Sequence, residues 1–265
     1  MSGRLVVCPT PIGNLEDVTL RVLAALREAD LVACEDTRRT RVLLERYGVQ
    51  ATLLSYHEHN ERKRSRELVE RMRDGQTVAL VSDAGMPLIS DPGFVLVREC
   101  VAAGLPVEVL PGPSAAIAAL VASALPADSW RFAGFLPRKR GALEALLAAP
   151  ETVVAFESPR RLPASLVSLS AAMPDRPVAV CRELTKRFEE VIRGTAAEVA
   201  TQVTELPKGE ITLVLGKQPA VKGDEQDARA AVAELVASGS GRRQAADVVA
   251  RLTGLSRNRL YRASL

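Results

Sequence analysis

TVALVSDAGMPLISDPGFVLVREC (residues 77–100) packs a strand, a loop and the start of a helix into one stretch. TVALV is short, apolar and β-branched, as a strand covered on both faces must be, and FVLVREC carries apolar residues at helical spacing. Between them, SDAGMPLISDPG crowds two Gly, two Pro, two Asp and two Ser into the junction. A phosphate cradle at a helix N-terminus needs free N–H groups, often a Lys, and no anion nearby. Asp83 and Asp91 would repel a phosphate, so the loop favours a cationic or hydroxyl-rich ligand, with Gly85 and Gly93 permitting close backbone approach beside the small Ala84. A plainer reading makes Asp91 a helix N-cap and Asp83 a turn former.

Outward from this junction the chain alternates strand-like runs with helical stretches. RLVVC, LVAC, ATLLS, TVALV and PVEVL are the runs, and helices are predicted around residues 20–29, 38–46 and 61–73 and after Asp91. That rhythm predicts a parallel sheet covered by helices, because parallel neighbours need crossover connections. Asp91-Pro92, Gly112-Pro113 and Ser158-Pro159 each place a capping type before a proline suited to a first helical turn, and TAAE at 195–198 has the pattern of a capping box. CPTPIGN (8–14) and LPGPSAA (110–116) resemble the first junction: small-residue turns following strands, which in open α/β sheets line the ligand crevice.

A second α/β layer is predicted from WRFAGFLP onward, through TVVAF, PVAVC, EEVIRG and EITLVLG, with shorter connections that imply a mixed sheet. Residues 216–227 read as a polar linker. The expected division is an N-terminal α/β domain over 1–118, a C-terminal α/β domain over 119–217 and a helical domain over 225–265. In the last, the order Ala246, Gly254, Ser256 fits a helix-turn-helix, and it fits equally a three-helix cap.

With 265 residues, 47% of them hydrophobic, the chain can bury a large core. No apolar run approaches the roughly 18 residues needed to cross a bilayer and no signal core opens the chain, so a cytoplasmic protein is expected. Cys8, Cys34, Cys100 and Cys181 lie far apart in apolar surroundings and predict neither a disulfide framework nor a metal knuckle. The net charge is only +3, and basic character concentrates at the C-terminus, where residues 239–265 hold six Arg against Asp247 alone.

PTPIGNLEDVTLR, EDTRRTRVLL, SYHEHNE, LVSDAGMPLISDPG, LPGPSA, FESPRRL, CRELTKRFEEVIRG and GEITLVL resemble, in this order, the tetrapyrrole methylase family of S-adenosylmethionine-dependent enzymes, and within it the branch that 2'-O-methylates a cytidine in the decoding region of bacterial small-subunit (16S) ribosomal RNA. The resemblance covers residues 4–216, and the C-terminal helices match the domain appended in that branch. It implies two αβα domains with S-adenosylmethionine in the cleft between them, and a homodimer. By position it places cofactor contacts on Pro11, on Asp83, Ala84, Gly85 and Ile89, on Ser114 and Ala115, on Phe156, and on Glu210, Ile211 and Thr212. The tetrapyrrole branch has Met where Phe156 stands and GDP near the place of DAG, departures that fit the RNA branch. A methyl donor with a positive sulfur, an ammonium and two ribose hydroxyls matches the chemistry of the loop at 82–93.

A ribose hydroxyl is a poor nucleophile, so a base beside it helps. The only two histidines, His57 and His59, flank Glu58 after a predicted strand; with Glu35 and Asp36 they are the candidates, although HEHNER also reads as a solvated loop opening a basic helix. Two histidines without a third ligand do not make a metal site. The RNA surface is expected in basic clusters: Arg38 and Arg39 with Arg41; Arg62, Lys63 and Arg64 with Arg66; Arg138, Lys139 and Arg140; Arg160 and Arg161; and, in the tail, Arg257 and Arg259. Aromatic content of 3% argues against extensive stacking on single-stranded bases. The substrate expected is rRNA or the assembled small subunit. A small-molecule methyltransferase is the rival within enzymes, and a ligand-sensing nucleic-acid-binding regulator the rival outside them.

Overall fold

A computed structural model describes residues 3–203, 208–217 and 225–263, with the side chain of Arg140 outside the description. The chain divides into two compact units, up to Lys217 and from Gln218 onward. Most of the linker expected at 216–227 lies outside the described residues.

The first unit opens with β1 (Arg4–Cys8), α1 (Leu20–Glu28), β2 (Leu31–Cys34), α2 (Thr37–Arg46), β3 (Leu53–Ser55), α3 (Glu61–Arg73), β4 (Thr77–Val81), α4 (Phe94–Ala102) and β5 (Val107–Val109). The strands form one sheet in the order β3-β2-β4-β1-β5, and every pairing is parallel. Parallel strands put all their carboxyl ends on one edge, so the loops after β1 to β5 gather there. The central strands are buried on both faces: Leu5, Val7 and Val78 face one core with Leu68 and Met72 of α3, whereas Val6, Cys8 and Ala79 face the other with Val22 and Leu26 of α1.

The same unit continues through α5 (Ala115–Ser123), β6 (Trp130–Phe135), α6 (Arg140–Leu147), β7 (Thr152–Glu157), α7 (Leu162–Ala172), β8 (Pro177–Arg182), β9 (Glu190–Thr195), α8 (Ala196–Gln202) and β10 (Ile211–Leu215). The second sheet runs β6-β7-β10-β8-β9. It is mixed, as the short connections predict: β6 and β7 are parallel and the other pairs antiparallel. The boundary expected at 118/119 falls inside α5, whose Ala116, Ala119 and Leu120 pack with Val154, Ala179 and Val214 of the second sheet. Thr195 and Glu198 form the full capping box at the start of α8.

The proline-marked helix starts come early. Helix α4 is capped by Gly93, not Asp91; α5 is capped by Ser114; α7 begins at Leu162, capped by Arg161. In the loop after β4 the chain reverses through left-handed Gly85, Leu88 and Ser90 (φ 82°, 74° and 67°) and turns again at Gly93 (φ 139°), so no helical turn forms before residue 94. Asp91 is thereby released from capping.

The second unit contains α9 (Glu225–Ala237), α10 (Arg242–Thr253) and α11 (Arg257–Ala263) around Ala228, Val232, Ala246, Val249 and Leu260. Gly254 closes α10 in the left-handed conformation (φ 66°), the turn expected of a helix-turn-helix. All four cysteines are free and buried. Among the described residues no helix is long and apolar enough to cross a membrane, and no cluster of His, Cys, Asp or Glu could hold a metal ion.

Candidate active site

Three loops meet at the carboxyl edge of the first sheet. Thr10 and Gly85 exchange backbone N–H···O bonds of 2.9 Å, and the Thr10 hydroxyl donates to the Ser82 carbonyl at 3.0 Å, clasping the turn after β1 to the loop after β4. A Cβ on Gly112 would lie 2.5 Å from Pro9 Cγ, so the loop after β5 approaches the same turn as closely as only glycine allows. Opposite them, the Asn14 N–H donates to Thr185 Oγ1 at 3.1 Å, tying the first turn to the loop after β8.

A cavity of about 370 Å³ lies between the two sheets. The first half contributes Ile12, then Ala84, Gly85, Met86, Ile89, Ser90 and Asp91, then Ser114 and Ala115. The second half contributes Phe135, the stretch Phe156, Glu157, Ser158 and Pro159, and the stretch Gly209, Glu210, Ile211 and Thr212. Of the expected cofactor residues, Ala84, Gly85, Ile89, Ser114, Ala115, Phe156, Glu210, Ile211 and Thr212 line it, whereas Pro11 and Asp83 do not. Pro11 is buried next to Ile12. Asp83 instead fastens two loops: its Oδ1 accepts from the Asp36 N–H at 2.9 Å and its Oδ2 lies 3.6 Å from Arg39 Nε.

The expected catalytic residues separate clearly. Asp36 caps α2, accepting from the Arg38 N–H at 2.8 Å and from its guanidinium at 2.7 and 3.0 Å; those hydrogen bonds hold its carboxyl down at about 2. His57 sits after β3, where the Asn60 amide donates to Nε2 at 3.1 Å, leaving Nδ1 buried without a partner. His59 is exposed and meets His57 edge-on at 5.9 Å. Glu35 is partly buried, and burial followed by the charge of Asp83 raises its pKa. None of the four lines the cavity.

Asp91 and Glu157, which are not among the expected cofactor or catalytic residues, do line it. Glu157 is buried and saturated: it accepts from the Ser158 N–H and the Ser165 hydroxyl, each at 2.6 Å, and from Arg161 at 3.1 Å. Arg161, expected on an RNA surface, is committed to this pair and to the Leu136 carbonyl at 2.8 Å. Asp91 has no hydrogen bond or ion pair among the described residues. Burial, then Glu35, Asp83 and Glu210, push its carboxyl up to about 7. Glu210 is held by Lys186 at 3.1 Å. SDPG carries the signal for Asp91, which fits both an acid facing a cationic or hydroxyl-rich ligand and a helix cap; for Phe135 the signal is an aromatic at a strand end in an aromatic-poor chain. Phe132, Phe135 and Phe156 form one edge-to-face group, with centroids 5.0 and 5.7 Å apart.

Of the expected RNA contacts, Arg38 is paired with Asp36, Arg39 with Asp83, and Arg64 with Glu67 at 2.6 Å. In the second unit Arg257 lies 3.8 Å from Asp247 and Arg259 3.7 Å from Glu225. Arg62, Lys63, Arg138 and Lys139 are exposed with no ion pair among the described residues. The side chain of Arg140 lies outside the described residues.

The wall chemistry fits the expected methyl donor. Asp91 and Glu210, with Glu35 and Asp83 behind them, make the region attractive to a cation, while the small Ala84 leaves room beside them and Ile89 and Phe156 give an apolar face.

Residues 4–200 match the profile of Tetrapyrrole (Corrin/Porphyrin) Methylases, and residues 222–265 match that of the RsmI C-terminal HTH domain. The chain is 46% identical to the ribosomal RNA small subunit methyltransferase I of Mesorhizobium japonicum, over 98% of this chain and 91% of that one. It is 45% identical to the protein of the same name from Micromonospora olivasterospora, over 98% of this chain and 86% of that one. Among solved structures, the uroporphyrin-III C-methyl transferase of Thermus thermophilus, complexed with S-adenyl homocysteine, shares the fold with a TM-score of 0.57 at 21% identity, covering 80% of this chain and 97% of that one.

Proposed function

Since the chain belongs to the tetrapyrrole methylase family and is an S-adenosylmethionine-dependent methyltransferase, we propose that it methylates the 2'-hydroxyl of a cytidine ribose in the decoding region of 16S ribosomal RNA, in the cytoplasm and as a homodimer. The observation that carries this reading is the arrangement at the carboxyl edge of the first sheet. An acid-walled cavity lies beside strand-end loops, and the unpaired cations Arg62 and Lys63 open the helix that follows β3. Arg138 and Lys139 follow Phe135 on the other wall. Exposed cations near a methyl-donor cavity suit a polyanionic acceptor and distinguish it from a small molecule. Both relatives described above carry ribosomal RNA in their names. Homodimerisation is supported by edge strand β5, where Val109 is exposed, and by Phe94, Val101 and Val121 exposed on the helices before and after it.

S-adenosylmethionine supplies a methyl group that is already electrophilic. The protein's own work is therefore alignment and charge. Ala84 and Gly85, with Ser114 and Ala115, hold one side of the cavity, and Phe156 and Thr212 hold the other. Asp83, tied to α2, keeps the loop after β4 in place and its charge stands behind the wall. Arg62, Lys63, Arg138 and Lys139 draw in phosphates, so binding should weaken steeply with salt.

Incubating the protein with radiolabelled methyl donor and either free 16S rRNA or small subunits lacking the modification tests the reading. A methylated 2'-oxygen appears as a gap in an alkaline hydrolysis ladder, because that oxygen no longer attacks its phosphate. Label on a base, or label on neither substrate, overturns it.

A further inference from the structure

We infer that Asp91 is the general base that takes the proton from the ribose hydroxyl. This rests on the reading of the chain as a 2'-O-methyltransferase. The other titratable groups around the cavity are each excluded by what they already touch or by where they stand. Three carboxylates line the wall itself: Asp91, Glu157 and Glu210. Glu157 spends its oxygens on Ser158, Arg161 and Ser165, and Glu210 is bound by Lys186. Asp91 alone of the three has neither a hydrogen bond nor an ion pair among the described residues.

The groups behind the wall fail for separate reasons. Asp36 is saturated by Arg38, and Asp83 is engaged by the Asp36 N–H and Arg39. His57 cannot accept a proton at Nε2 while the Asn60 amide occupies that lone pair, and in the neutral ring Nδ1 then carries the hydrogen. Glu35 and His59 lie off the cavity wall. Asp91 is also fixed in place: it follows left-handed Ser90 and precedes Pro92, so neither neighbouring backbone angle swings freely. A non-glycine residue held at positive φ is strained and persists where surrounding structure enforces it, often at functional sites.

The electrostatics suit the task. Glu35 faces Asp91 from the loop after β2, Asp83 from the loop after β4, and Glu210 from the approach to β10. The nearby cations Arg39 and Lys186 are engaged by Asp83 and Glu210, and His57 faces Glu35. Burial and these three acids hold the free carboxyl at about 7, near the value at which a base transfers protons most effectively at neutral pH. A cationic ligand in the cavity favours the charged form. In the reaction, the ribose O–H bond breaks with its proton passing to an Asp91 oxygen while the ribose oxygen bonds the methyl carbon. The carbon–sulfur bond breaks with its electron pair left on sulfur. Asp91 then releases its proton to water.

The test compares the full-length protein with Asp91→Asn, which keeps the shape but accepts no proton, and Asp91→Glu, which keeps the carboxylate. Single-turnover methylation of small subunits is followed across pH at saturating methyl donor, and donor affinity is measured by calorimetry. Wild type should show a rate rising with pH through an inflection at or below about 7. Asp91→Asn should lower the plateau by about 10²–10⁴-fold and lose the inflection, while donor Kd weakens by no more than about tenfold, far less than the rate, because the wall keeps the Glu210 carboxylate. Asp91→Glu should recover part of the rate together with the inflection. An Asp91→Asn rate within about tenfold of wild type, an inflection that persists in it, or a donor Kd that weakens in step with the rate overturns the assignment. Ribose label in wild type with an unimpaired Asp91→Asn variant sinks this inference alone, whereas label on a base in wild type sinks the proposed function and takes the inference with it.

Discussion

Arg176 and Asp91 are both charged residues in the first compact unit, and their surroundings are opposite. Arg176, just before β8, is fully buried, and its guanidinium meets the carbonyls of Gly216, Leu147, Ala149 and Glu151 and the Met173 sulfur. It thereby staples the ends of β7 and β10 and the turn after α6. Asp91 lies against a cavity with like charges around it and no partner among the described residues. A charge whose every donor is met is holding the fold; a charge left unmet, in a place that raises its energy, is kept for a ligand.

The largest effect that sharpens this contrast is expected at Arg176. Arg176→Met leaves several buried carbonyls without donors, each costing about 1–3 kcal/mol, so unfolding free energy in urea should fall by about 3 kcal/mol or more. The prediction fails if the unfolding free energy drops by less than a third of that.

Asp91→Asn should move stability the other way. The Asp91 pKa is raised from 3.8 in the unfolded chain to about 7 in the fold. The folded state therefore binds more protons between these values, and stability contributed by the protonated acid is fully present below about pH 4 and lost as pH rises through 7. Removing the charge should stabilise the protein at pH 8 by about 1–3 kcal/mol, allowing for solvent screening, and leave it nearly unchanged at pH 4. Thermal melts at the two pH values read the difference directly. Equal shifts at both would mean that the carboxylate is no more costly folded than unfolded.

The contrast also explains what was legible in the sequence. Strand runs such as RLVVC and TVALV declare themselves because strands covered on both faces must be continuously apolar, and TAAE declares α8 because a capping box is local. The three crevice loops were readable from small residues after strands. Helix starts marked by Pro were not: the positive φ values of Leu88 and Ser90 move the start of α4 to residue 94. Nor could Asp83 and Asp91, eight residues apart in one motif, be told apart. Their difference is made by the Asp36 N–H and Arg39, which reach Asp83 from the cap and first turn of α2. Glu157 was hidden in a strand-and-turn sequence because its partner Ser165 lies in the following helix.

Gly85 offers a smaller test, confined to the loop that holds both acids. Its φ of 82° is left-handed, and an added Cβ would sit 3.3 Å from Ile12 Cγ2 and 3.6 Å from the Pro113 carbonyl. Gly85→Ala should cost about 1–2 kcal/mol from backbone conformation alone. Because Gly85 lines the cavity and pairs with Thr10, donor affinity measured by calorimetry should drop by roughly tenfold. Unchanged affinity would show that the clasp between the turn after β1 and the loop after β4 does not shape the cavity.

The smallest effect belongs to cations that are unmet in the same sense as Asp91 but stand in open solvent. Arg62 and Lys63 open α3 without ion pairs among the described residues, whereas Arg64 in the next position is held by Glu67. Leaving a charge unpaired costs little at the surface, so replacing it hardly changes stability and tells only on a polyanionic partner. Arg62→Gln with Lys63→Gln should weaken binding to small subunits several-fold at low salt and reduce the slope of log affinity against log salt by about 2, one for each phosphate no longer neutralised. Arg64→Gln should leave that slope almost unchanged, because its guanidinium is already neutralised by Glu67. Equal slopes for the two variants would mean that pairing within α3 does not decide which cations meet the phosphates, and the distinction between met and unmet charges would then hold at the cavity but not on the surface.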